Sequence, residues 1–99
     1  MSQETSYELN LPSDFNDYEW EVESKGWFDN VHLSFSGKQY KLCFYDPARL
    51  NQETEDEIDS SSYFFEQNLI VIRPVNAKNM RIAIEGLINS GQITQLKSE

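Results

Sequence analysis

Ninety-nine residues suffice for one compact core and are too few for two, so a single domain over residues 1–99 is expected. A hydrophobic share of 38% with 13% aromatics argues against a disordered chain. A net charge of −9 argues against direct nucleic-acid binding, because phosphates call for Lys and Arg. The imbalance is uneven: residues 1–66 hold fifteen acids and four bases, while residues 67–99 hold two acids and four bases. Cys43, the lone cysteine, precludes an intramolecular disulfide, and with no charged-then-apolar opening segment the expectation is a cytoplasmic chain. The longest apolar run, Leu69 to Ile72, falls far short of the roughly 20 residues a membrane span needs.

Residues 1–16 show weak periodicity around Pro12 and read as a frayed lead-in. From Tyr18, the apolar Tyr18, Trp20 and Val22 alternate with Glu19, Glu21 and Glu23, the pattern of a half-buried strand, and Ser24 to Gly26 supply a turn. A second alternation sets Val31, Leu33 and Phe35 against His32, Ser34 and Ser36. After a turn at Gly37 and Lys38, a third sets Tyr40, Leu42 and Phe44 against Lys41, Cys43 and Tyr45. Three strands with short turns predict an antiparallel meander. Asp46-Pro47 is a helix start, an acceptor side chain followed by a residue with no N–H to satisfy, and predicts a helix over 47–60. Its apolar stripe of Ala48, Leu50 and Ile58 is thin, which places it on the surface. Tyr63 to Phe65 and Leu69 to Ile72 suit one long strand or two short ones. Asn76 caps a last helix whose Met80, Ala83, Ile84, Leu87 and Ile88 make an apolar face, with Val75 and Met80 as a hydrophobic staple and Gly91 as its stop. Residues 92–99 read as a short edge strand or a frayed end. The predicted fold is α+β: a meander of about four to five strands packed against the C-terminal amphipathic helix, with a second, acidic helix on the surface.

The chemical inventory is thin. His32 shares its predicted face with Ser34 and Ser36, yet a relay needs a carboxylate to orient the ring. Cys43 lacks a neighbour in sequence that would lower its pKa. The acids lack the alternating ligands and central glycine of a calcium loop, and no phosphate-cradling glycine loop is present. No enzyme, cofactor or metal is therefore expected.

Surface recognition remains. Glu53, Glu55, Asp56, Glu57 and Asp59 put five acids within seven residues, and Glu19, Glu21 and Glu23 repeat the like-charge pattern. Charge runs often mean only a solvated face, but large aromatics stand near both, and Trp27, Tyr45 and Tyr63 are the expected anchors of an interface rimmed by those carboxylates. In size, acidity and α+β architecture, rather than through a diagnostic motif, the whole chain resembles bacterial immunity proteins, including those of contact-dependent growth inhibition systems. That resemblance implies a cytoplasmic inhibitor of one cognate basic toxin, a nuclease above all, whose cleft the carboxylates and aromatics occlude. The other readings are a nucleic-acid mimic, which needs carboxylates spaced like phosphates along a ridge, and a non-inhibitory adaptor or subunit domain with a contiguous apolar patch.

Overall fold

The second and third alternations form the hairpin on which the rest is built. In the computed structural model, which describes residues 6–99, strand β2 (Trp27–Phe35) pairs antiparallel with β3 (Lys38–Tyr45), Val31 facing Leu42 and Leu33 facing Tyr40. The two-residue connection is Ser36-Gly37, with φ of 54° and 78°, a geometry whose twist matches the flanking strands. Lys38, expected in the turn, already pairs with Phe35.

Two short strands complete the sheet. Preceding β2 in sequence, β1 (Glu8–Asn10) pairs antiparallel with it, Leu9 against Leu33. On the far side β4 (Leu69–Val71) runs parallel to β3, Phe44 against Ile70, giving the order β1-β2-β3-β4. The molecule is thus α+β, a four-stranded mixed sheet with three helices. Of the predicted 63–72 strand only three residues are extended in the sheet, and they are parallel because a helix and a loop carry the chain back before they pair.

The first predicted strand is a helix, α1 (Phe15–Lys25). Its alternation of Glu with Tyr18, Trp20 and Val22 mimics period two, but the side chains directed inward are Phe15, Tyr18 and Val22, spaced by three and four. Trp20 is left 70% exposed. Gly26 ends this helix in the left-handed conformation, φ 75°, where its N–H bonds to the carbonyl of Val22. The lead-in expected over 1–16 is also revised: residues 1–5 lie outside the described residues, whereas β1 and the start of α1 fall within 8–16.

The later helices match their sequence signals. Asp46 caps α2 (Pro47–Ser61), its Oδ1 accepting from the N–H of Arg49 at 2.7 Å. Asn76 caps α3 (Ala77–Ser90) through the N–H of Asn79, and Gly91 closes it at φ 81°. Val75 and Met80, the staple pair, are both fully buried. The C-terminal residues make a 3₁₀ turn (Gln92–Gln95), and Ser98 then bridges Tyr40 on the outer edge of β3.

The two faces of the sheet differ. Val31, Leu33, Leu42 and Phe44 point to one side, where Phe15 and Val22 of α1 and Met80 and Ile84 of α3 close the core. Tyr45, next to Phe44 and so on the other side, meets Trp27, Phe64 and the flank of α2. The rest of that second face carries His32, Ser34, Gln39 and Lys41. Among the described residues no helix is long and apolar enough to cross a membrane.

Candidate functional site

Helix α2 buries no residue completely; its half-buried side chains are Arg49, Leu50, Glu53, Thr54 and Glu57, and Glu53 and Glu57 lie on the side that meets Tyr45. An acidic helix without a strong apolar stripe thus turns two of its five carboxylates toward the sheet. Glu55, Asp56 and Asp59 face solvent. Glu53 and Glu57, one turn apart, look into a recess of about 270 Å³ that Tyr45 shares with the segment Tyr63 to Glu66. The recess therefore collects carboxylates from two chain segments, Glu53 and Glu57 from the helix and Glu66 from the loop beyond it.

Its aromatic side is layered. Tyr45 is 3% exposed, with Phe64 edge-on against it (6.3 Å between ring centres, 88°) and Trp27 at 6.4 Å on its other flank. Tyr45 is therefore floor, not an outward anchor as expected, because β3 is covered on both faces at this end. Burial, reinforced by Cys43, Glu66 and Glu53, pushes its hydroxyl up to about 12, so it stays a neutral phenol. Trp27 is half-buried beside it. Tyr63 and Phe65 are 68% and 74% exposed and form the rim.

One of the three recess carboxylates is partnered. Arg49 Nε lies 3.4 Å from Glu53 Oε1, an i,i+4 pair on α2. No ion pair to Glu57 or Glu66 occurs among the described residues. The second acidic run has a different place. On α1 Glu19 accepts from the N–H of Ala77 at 2.8 Å and Glu23 from Asn76 Nδ2 at 2.7 Å, so two of its three acids engage the start of α3. Only Glu21 is exposed, next to Trp20. The structure does not bring this run to the recess, whose side chains come from β3, α2 and the loop after it.

The two candidate nucleophile-chemistry residues are likewise separated by environment. His32 stands opposite Lys41 on the half-exposed polar face. Cys43 is buried, and burial first, then the carboxylates of Glu66 and Asp29, pushes its thiol up to about 12, which keeps it protonated and unreactive at neutral pH. Among the described residues no three His, Cys, Asp or Glu side chains group as a metal site would need.

Phe65 and Glu66 were absent from the sequence-derived site because the aromatic run 63–65 reads as a strand. The triple serine at 60–62 was the available signal, a stretch that favours a loop over the start of a strand. Comparison of the chain with family models, with curated proteins and with solved structures gives no match in any of the three.

Proposed function

We propose that this chain is a protein-binding inhibitor, an immunity protein that neutralises a cognate basic toxin, with a nuclease favoured, by occluding its active site. The observation that carries the reading is the recess at α2, where Glu53, Glu57 and Glu66 converge beside the exposed rings of Tyr63 and Phe65. Carboxylates placed there stand in for substrate phosphates and engage the Lys, Arg or His groups of a nuclease cleft, while the aromatic rim excludes water from those contacts. The outer acids Glu55, Asp56 and Asp59 extend the negative field and speed encounter. Convergence on one recess supports occlusion over mimicry of a phosphate ridge. A cytoplasmic location belongs to the same reading.

The test is affinity capture of partners by the tagged chain from its source cells at physiological salt, followed by nuclease assays of each captured protein with and without the chain. A basic protein that is toxic alone and silenced at equal stoichiometry is the expected result. Capture of a large assembly or of a harmless nucleic-acid-binding protein would replace inhibition by the adaptor or the mimic reading.

A further inference from the structure

The two edges of the sheet are not alike. On one, β1 carries the charged Glu8 and the polar Asn10, with Pro12 soon after, devices that discourage a further strand from adding. On the other, β4 is Leu69, Ile70 and Val71, without a charge, a proline or a bulge. The N–H of Cys43 donates to the carbonyl of Asn68 and the N–H of Ile72 to the carbonyl of Tyr45, so the residues at 68, 70 and 72 turn their backbone groups to β3. By alternation the N–H and C=O groups of Leu69 and Val71 point away from the sheet. No backbone bond from them to another segment occurs among the described residues, and the Val71 side chain beside them is 44% exposed.

We infer that β4 is a homodimer edge, independent of what the recess binds, where a second copy of the chain adds its own β4 antiparallel about a two-fold axis at Ile70. With Ile70 on the axis, Leu69 of each copy stands opposite Val71 of the other as the hydrogen-bonded pair of an antiparallel ladder, and every outward backbone group of the strand is answered. Charge selects the same occupant and direction. Glu66 precedes the strand and Arg73 follows it, both exposed and neither in an ion pair among the described residues. Antiparallel addition brings the acidic end of each copy to the basic end of the other, whereas parallel addition sets like against like. An apolar centre with opposite charges at its two ends is complementary to itself. The contact is small beside the roughly 1,200–2,000 Å² of a standard interface, and the net charge of −9 on each copy opposes it, so the dimer is weak and dissociates on dilution.

Sedimentation velocity of the whole chain from micromolar to millimolar concentration, at physiological salt, tests this. The mean mass is expected to rise from one copy to two, with slower amide exchange at Leu69 and Val71 in the dimer. Val71→Pro removes one outward N–H and no bond to β3, so it should stay monomeric across the range with an unchanged unfolding transition. Val71→Lys, which keeps the N–H and puts a charge on the edge, should do the same and serves in its place if the proline variant does not fold. E66R and R73E should each weaken association about tenfold, and E66R/R73E together should regain it. A chain that remains monomeric at millimolar concentration would overturn the inference and leave this edge to a strand of another protein. A dimer that persists in V71P and V71K, or one that E66R/R73E fails to restore, would place the contact elsewhere and overturn it too.

Discussion

Asn68 joins three stretches of chain with one side chain. Its Nδ2 donates to the carbonyls of Lys41 at 3.0 Å and Lys97 at 2.9 Å, and its Oδ1 accepts from the N–H of Lys97 at 2.8 Å. It does so from a left-handed backbone, φ 57°, that asparagine tolerates better than most residues. Asn68→Ala should therefore cost about 2–3 kcal/mol in urea unfolding, part from the lost bonds and part from the backbone. Asn68→Gly relieves the backbone and should cost less, while in both variants the amides of residues 97–99 exchange faster. Titration supplies a second prediction at this scale. Cys43 and Tyr45 have ordinary values of 9.0 and 10.0 and are both raised to about 12 by the fold. Above pH 9 the unfolded chain releases these protons while the folded chain keeps them, so their contribution is complete below pH 9 and is lost as pH rises toward 12. The unfolding free energy should fall over that window by at most about 1.4 kcal/mol per pH unit per group, and Tyr45→Phe should flatten the decline.

At the scale of elements, α1 does work that its sequence pattern conceals. Glu19 and Glu23, four residues apart, share the helix side that meets the N-terminus of α3, where their carboxylates satisfy one backbone and one side-chain donor. Replacing both by alanine should lower stability by about 1–3 kcal/mol and leave association with a partner at α2 unchanged, as a comparison of unfolding and binding rates would show. Elements with redundant signals were legible: Asp46-Pro47, the Asn76 cap, the Gly91 stop, and the Val31-to-Phe35 and Tyr40-to-Phe44 alternations each combine pattern with punctuation. Helix α1 was not, because its glutamates fall at every second position for capping and solubility, and that spacing imitates a strand. Its cue was the Phe15, Tyr18, Val22 spacing closed by Gly26. The parallel pairing of β4 left no trace in the chain, since three extended residues carry the same pattern in either direction. Of the site, the α2 acids and Tyr63 were legible from composition. Which acids turn inward depends on how α2 rests on β3, and that is a tertiary fact.

For the whole molecule, the charge distribution follows the fold. The outward side of α2 presents Glu55, Asp56 and Asp59, whereas α3 presents Lys78 and Arg81. Reversing Glu55, Asp56 and Asp59 to Lys should slow association with a cationic partner at least about tenfold at low salt, with the difference shrinking as salt is added. Unchanged rates in stopped-flow mixing would remove these acids from steering. The crossover between β3 and β4 has a longer-range consequence. Helix α2 sits outside the core formed by α1, α3 and the sheet, and of the loop aromatics only Phe64 packs on a buried ring. On the proposed reading, recognition and folding occupy separable stretches of the chain. On that reading, substitutions at the outward positions between 55 and 66 change which partner is bound while the scaffold keeps its stability, and one framework diverges into many specificities by changing a single excursion.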